Sequence, residues 1–90
     1  MLNPIEIIDV REQWLEKDVA EVYVNETMVG VMIRDMTTLK IRFQPFAKFY
    51  ALTDYVSMPD SYAGHARLNA IEHGYREWLN DLAEQKMRGN

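Results

Sequence analysis

The chain has no cysteine and little glycine, serine or histidine, and each shortage excludes a class of site. Without cysteine there is no disulfide, no thiolate metal ligand and no cysteine nucleophile. The four glycines are scattered, so no glycine-rich phosphate loop is present. Ser57 and Ser61, the only serines, lie outside any nucleophile-elbow pattern. A cysteine-free chain fits a reducing compartment, and we expect a cytoplasmic protein.

Long apolar runs are also missing. No stretch approaches the ~20 apolar residues that a transmembrane helix needs, so we expect no membrane contact. The segment MLNPIEIIDVRE has no basic region before its apolar run, which argues against a secretory signal peptide. Ninety residues that are 48% hydrophobic and 27% charged have the size and composition of a single globular domain, residues 1–90.

The charge is unevenly distributed along the chain. The net charge is −4, with seven acids and two bases in residues 1–27 but four bases and two acids in residues 28–56. A protein that binds duplex nucleic acid is normally basic, so this balance disfavours such a function. The acidic N-terminal third instead suits a basic surface on another protein.

The N-terminal segment carries two competing signals. Asn3 can cap a helix, Pro4 suits the first helical position, and Glu6 can reach back to the capping residue. These features predict a helix over residues 4–17. The β-branched residues nearby favour a short strand at 4–9 as the alternative.

From Val19 onwards the apolar period is two, which is the period of a strand. The pattern predicts three strands joined by short polar turns: Val19–Val24, Met28–Arg34 and Thr38–Phe43. Phe46–Leu52 is predicted to form either a fourth strand or a short helix.

The C-terminal third has a helical period. A helix is predicted from a cap at Asp60 or Ser61 to about Gln85. Its core-facing stripe comprises Leu68, Ile71, Tyr75, Trp78, Leu79 and Leu82. Gly64 and Gly74 leave room for a bend, a frayed turn or a close backbone contact.

Together these elements predict an α+β fold. An antiparallel meander of three to four strands packs on one long C-terminal helix, with an N-terminal helix or short strand beside it. The predicted core contains one face of the sheet and the helical stripe, with Trp14 and Leu15 joining it: Val29, Val31, Ile33, Leu39, Ile41, Phe43, Leu68, Ile71, Tyr75, Trp78 and Leu82.

Catalytic and metal chemistry find little support. His65 and His73 are eight residues apart on one helix, about 80° and about 12 Å from each other, which is too far for one metal ion. His73 and Glu77 have a suitable spacing but no third ligand. We therefore expect no enzyme, metal or cofactor. A proton-transfer site on the flank of His65, Glu72 and His73 is the third-ranked alternative.

Two surfaces are candidates for binding. With the branched aliphatic residues under the helix, the other sheet face is predicted to expose Met28, Met32, Arg34, Lys40 and Arg42. Met and Arg are enriched at protein interfaces. The second candidate is the acidic N-terminal face, with Glu12 and Glu16 as contacts. Both predict a partner protein, or a second copy in a homodimer.

Two resemblances bear on function. In type and size this acidic, cysteine-free α+β chain resembles phage-encoded inhibitors of host or defence machinery, including anti-CRISPR proteins. That resemblance implies an inhibitor or adaptor. The order hairpin, strand, helix is similar in layout to the small sheet-reading DNA-binding modules of integrases. It implies the alternative function, nucleic-acid binding through Arg34, Lys40 and Arg42.

Overall fold

A computed structural model describes residues 7–59 and 65–87. In chain order it contains strands β1 (Val10–Trp14), β2 (Val19–Val24), β3 (Thr27–Arg34) and β4 (Ile41–Pro45), a 3₁₀ helix (Ala47–Asp54) and helix α1 (Ala66–Met87). The strands form one antiparallel sheet in the order β1-β2-β3-β4. The predicted α+β meander packed on a C-terminal helix is confirmed. The segment after Pro45, predicted as a fourth strand or a short helix, forms the 3₁₀ helix. The sheet still has four strands, because β1 in the N-terminal segment is an additional one.

The N-terminal helix is wrong where the structure describes it, because Val10–Trp14 is a strand. Residues 4–6 lie outside the described residues, and the alternative strand at 4–9 is wrong over residues 7–9, because the first described strand begins at Val10. Asn25 holds the start of β1 against β2. Its Oδ1 accepts a hydrogen bond from the Asp9 N–H at 2.8 Å, and its own N–H donates to the Asp9 carbonyl at 2.9 Å. A contact from a distant residue thus outweighs the helix prediction over Val10–Trp14.

Two different connections join the central strands. Asn25 and Glu26, between β2 and β3, have φ of 49° and 70°, which a tight two-residue hairpin turn requires. In the loop before β4, Asp35 Oδ1 accepts the Thr37 and Thr38 N–H groups at 2.7 and 3.1 Å. The Thr38 and Thr37 N–H groups lower the pKa of the Asp35 carboxyl. Leu39 has a φ of 64° in this loop, so the strand predicted from Thr38 begins only at Ile41.

A β-bulge changes the sidedness of β3. Val22 lies opposite Gly30, but the next residue, Tyr23, lies opposite Met28, so Val29 is an extra residue in β3. A one-residue slip exchanges the faces of a strand. Val29 therefore faces the helices. Beyond the bulge, Met32 faces the helices, and Val31 and Ile33 face the other side of the sheet. Met32 is 0% exposed, and its predicted exposure is wrong.

Gly30 permits close packing at the bulge. A Cβ at this position would lie 2.5 Å from the Gln44 carbonyl oxygen and 2.6 Å from Pro45 Cα. Both atoms belong to the β4 backbone, which cannot move aside as a side chain could. Glycine is therefore needed for β3 and β4 to pair here.

The hydrophobic core lies between one face of the sheet, called here the inner face, and the two helices. Its buried apolar side chains are Ile8, Ala20, Val22, Val24, Val29, Met32, Ile41, Phe49, Leu52 and Ile71. Half-buried Trp14, Phe43, Tyr75, Trp78 and Leu79 pack against them. Three predicted core members are instead exposed: Leu15, Leu39 and Leu82. Val31 and Ile33 are half-buried on the opposite side of the sheet, and Leu68 is half-buried on α1.

Helix α1 packs through a close backbone contact and an aromatic cluster. A Cβ at Gly74 would lie 2.6 Å from Val56 Cγ2 and 2.8 Å from the Tyr55 carbonyl oxygen, which confirms a close contact there. The Trp78 ring meets Phe49 and Tyr75 edge-on, with centroids 6.1 and 5.5 Å away. The predicted cap at Asp60 or Ser61, and Gly64, lie outside the described residues. Among the described helices, none is long and apolar enough to cross a membrane.

Candidate functional site

The strongest candidate surface is the sheet face opposite the core, called here the outer face. Both helices of the described chain contact the inner side of the sheet, so no described helix or strand covers this face. Strand alternation and register place ten side chains on it: Arg11, Gln13, Val19, Glu21, Tyr23, Met28, Val31, Ile33, Arg42 and Gln44.

The centre of the outer face is aliphatic. Val19 lies directly opposite Ile33, and Val31, two residues before Ile33 in β3, lies opposite Glu21. All three aliphatic side chains are half-buried. Cross-strand aliphatic pairs of this kind stabilise a sheet, but here they also leave apolar surface open to a partner.

The charges on the β1 side of the outer face are satisfied within the chain. The Arg11 guanidinium lies 4.2 Å from the Tyr23 ring centroid and 3.7 Å from Glu26. The Tyr23 hydroxyl donates a hydrogen bond to Glu21 at 3.0 Å, and this bond raises the pKa of Tyr23. These side chains form a fixed polar border to the aliphatic centre.

The β4 side is different, because its bases have no partner among the described residues. Arg42 lies opposite Ile33 and is exposed, and Lys40 is exposed just before β4. Neither side chain makes an ion pair or hydrogen bond to residues 7–59 or 65–87. This border can therefore neutralise carboxylates on a partner without first losing an internal contact.

Two of the predicted sheet contacts lie elsewhere. Met32 is in the core, as described above. Arg34 turns toward Trp14, with its guanidinium carbon 4.6 Å from the ring centroid, and donates to the Lys17 carbonyl at 3.2 Å. Its Nε is buried without a hydrogen-bond partner in the described structure. Of the predicted set, Met28 and Arg42 lie on the outer face and Lys40 at its border.

The acidic N-terminal face is divided. Glu12 points to the inner side, where its carboxylate accepts hydrogen bonds from Arg67 at 2.7 and 3.4 Å. The Glu12 and Arg67 side chains are only 17% and 10% exposed, so Glu12 cannot serve as a free contact. Glu16, between β1 and β2, is exposed. The Glu12 carboxylate is therefore occupied by Arg67 and is not a free acidic group, and the predicted partner contacts at Glu12 and Glu16 stay predictions.

Sequence reasoning missed the aliphatic part of the outer face: Val19, Val31 and Ile33. The signal that could have found it is Gly30. A glycine inside a strand commonly marks a bulge, and a bulge exchanges the faces of the residues that follow it.

The described flank of α1 carries an exposed His–Glu pair. His73 Nε2 lies 3.1 Å from Glu77 Oε1, and both side chains are largely exposed on successive turns of α1. Within residues 7–59 and 65–87, no group of three or more His, Asp or Glu side chains could hold a metal ion. The exposed pair is what i,i+4 spacing gives on any solvated helix.

The chain matches no protein-family model, no curated protein and no solved structure.

Proposed function

We propose that this chain is a non-enzymatic protein-binding module that uses its outer face. The observation that carries the proposal is the aliphatic centre of Val19, Val31 and Ile33, which no described helix or strand covers, beside Lys40 and Arg42, two bases without a partner in residues 7–59 and 65–87. Apolar surface provides the free energy of association, and charges at its border orient the partner.

The partner that fits this surface has an apolar stripe with carboxylates along one side. The carboxylates would lie over Lys40 and Arg42, and the stripe would lie over Val19 and Ile33. Glu21 lies beside the aliphatic centre, opposite Val31, where its carboxylate disfavours an acidic group. These features favour a protein over a uniformly anionic ligand.

We further propose that binding makes the chain an inhibitor or adaptor, for instance of the phage-encoded type. Small size and an acidic charge support this role, because a compact acidic protein is steered toward basic sites on larger machinery. Exposed Glu16 and its acidic neighbours would assist that steering rather than form the apolar contact.

Site-specific photo-crosslinking in the source cell tests the surface. A crosslinking amino acid at Gln44, exposed on the outer face, should capture a defined protein. The same residue at Gln85, exposed near the end of α1, should not. Capture should be lost when Arg42→Glu is added. Equal capture from both positions, or capture from Gln85 alone, would overturn the proposal.

Nucleic-acid binding through the same face is the second candidate, favoured by the exposed Lys40 and Arg42. The stacking of Arg34 on Trp14 removes one of its three predicted contacts. A low-salt mobility-shift assay with duplex and single-stranded DNA separates the two functions. A shift that Arg42→Glu abolishes would favour nucleic acid over protein.

A further inference from the structure

The edge of β1 presents unused backbone hydrogen-bonding groups. The Asn25 N–H donates to the Asp9 carbonyl, and the Leu15 N–H donates to the Val19 carbonyl, so the odd-numbered residues of β1 bond to β2. Backbone groups alternate in direction along a strand. The N–H and C=O groups of Val10, Glu12 and Trp14 therefore point away from the sheet. No residue in 7–59 or 65–87 forms a backbone hydrogen bond with them.

The opposite edge, on β4, is blocked. The Phe46 N–H bonds to the Val29 carbonyl and the Asp35 N–H to the Lys40 carbonyl, so even-numbered residues on this side face β3. The backbone N–H and C=O groups of Ile41 and Phe43 and the C=O group of Pro45 consequently point away from the sheet, and Pro45 has no N–H to donate. Proline at such a position prevents further strand pairing. Of the two edges, only that of β1 can extend the sheet along its whole length.

We propose that β1 pairs antiparallel with β1 of a second copy of this chain. The outward groups all belong to even-numbered residues, so hydrogen-bonded pairs can only join even residues with even residues. Full overlap of the two strands then places Glu12 opposite Glu12 of the second copy and Val10 opposite its Trp14. The two-fold axis passes beside Glu12, and the strand is complementary to itself.

The side chains fit this register. On the outer side Arg11 lies opposite Gln13 of the second copy, so no like charges meet there. On the inner side Val10 meets Trp14, two apolar residues. The two Glu12 carboxylates come close, but each is already neutralised by Arg67 of its own chain at 2.7 Å. The dimer would join two four-stranded sheets edge to edge, with both outer faces on the same side.

Gln13 provides a charge test that leaves the core untouched. It is exposed, and it lies opposite Glu21 within the monomer. Gln13→Glu should lower the dimer dissociation constant about three- to tenfold, because each new carboxylate meets Arg11 of the other copy, and Gln13→Lys should raise it by a similar factor. The stability of the monomer should change in the opposite sense. Gln13→Lys should stabilise the monomer, because its ammonium group attracts Glu21, and Gln13→Glu should destabilise it, because its carboxylate repels Glu21. Sedimentation across a concentration series should therefore show tighter dimerisation for Gln13→Glu than for Gln13→Lys. Thermal melting at low concentration should show the lower melting temperature for Gln13→Glu.

Val10 provides a backbone test. Its N–H does not bond to β2, so Val10→Pro removes an edge donor while sparing the ladder, and Val10→Ala is the control for lost packing. We expect Val10→Pro to weaken dimerisation at least tenfold relative to Val10→Ala. A chain that stays monomeric at every concentration would overturn the proposal. So would a dimer that neither the Gln13 nor the Val10 variants alter. Because crosslinking from Gln44 requires no dimer, failure here leaves the proposed function standing.

Discussion

The inner and outer faces of the sheet carry neighbouring residues of the same chain under opposite constraints. On the inner face Met32 is fully buried, and Glu12 is held by Arg67 at 2.7 Å. On the outer face Ile33, the next residue, is half-buried, and the corresponding ion pair of Arg11 and Glu26 is exposed at 3.7 Å. Substitutions on the inner face should therefore cost more stability than substitutions on the outer face.

The largest loss of stability should come from adding a side chain at Gly30, where β3 and β4 pack closely together. Gly30→Ala places a methyl group within 2.6 Å of the β4 backbone, and we expect a loss of about 3 kcal/mol in the free energy of unfolding. Chemical denaturation measures this loss. Gln44→Ala is the control, since it changes the same strand pair on the exposed side and should cost less than about 0.5 kcal/mol. Equal costs would show that β3 and β4 do not approach each other as described.

The comparison is sharpest between adjacent residues of β3. Met32→Ala should cost about 2–5 kcal/mol, because it opens a cavity in the core. Ile33→Ala should cost about 1 kcal/mol, because its side chain already contacts water. Denaturant unfolding of the two variants under one condition gives the ratio. A larger cost for Ile33→Ala would show that Ile33, and not Met32, faces the core.

The buried Glu12–Arg67 ion pair on the inner face should contribute more to the free energy of unfolding than the exposed Arg11–Glu26 pair. Glu12→Gln leaves Arg67 without its counter-charge in a mostly buried position, and we expect a cost of about 2 kcal/mol. Glu26→Gln at the exposed pair should change the free energy of unfolding by less than about 0.5 kcal/mol. Raising the salt concentration should reduce only the second effect. Similar costs for both would contradict the burial of the Glu12–Arg67 pair.

The smallest effect should arise at Asp35, in the loop outside both faces. Its pKa is lowered from 3.8 by the Thr38 and Thr37 N–H groups, so the stability it contributes is present above that value and is lost as pH falls below it. Asp35→Asn keeps an acceptor but no titratable group. The wild-type chain should therefore melt higher than the variant at about pH 6, and the difference should shrink as the pH falls through the lowered pKa of Asp35. A difference that does not change with pH would contradict this assignment of the shift.

The sequence predicts the regular parts of this fold well. Ile41 and Phe43 face the core as their alternation indicates, and Ile71, Tyr75 and Trp78 form the stripe that a 3.6-residue period predicts. These segments contain no bulge, so the apolar residues of each period lie on one face of the strand or helix. The helix on which they converge is confirmed for the same reason.

The errors have two physical sources. In β3 the series Val29, Val31, Ile33 reads as one face, but the extra residue at the bulge separates Val29 from the other two. At the N-terminus, Asn25 fixes β1 through contacts that span sixteen positions of the chain. Register shifts and distant contacts leave weak local signals, so the candidate surface was found only in part, through Met28, Lys40 and Arg42.

Methionine oxidation tests the sidedness of β3 most directly, because the chain carries its own probes on both faces. Under limited peroxide treatment of the native protein, mass spectrometry should find Met36 and Met87 oxidised first, since they are 53% and 78% exposed. Half-buried Met28 on the outer face should follow, and Met32 should stay reduced until denaturant unfolds the chain. Oxidation of Met32 at the rate of Met36, with Met28 protected, would place the open surface on the other side of the sheet.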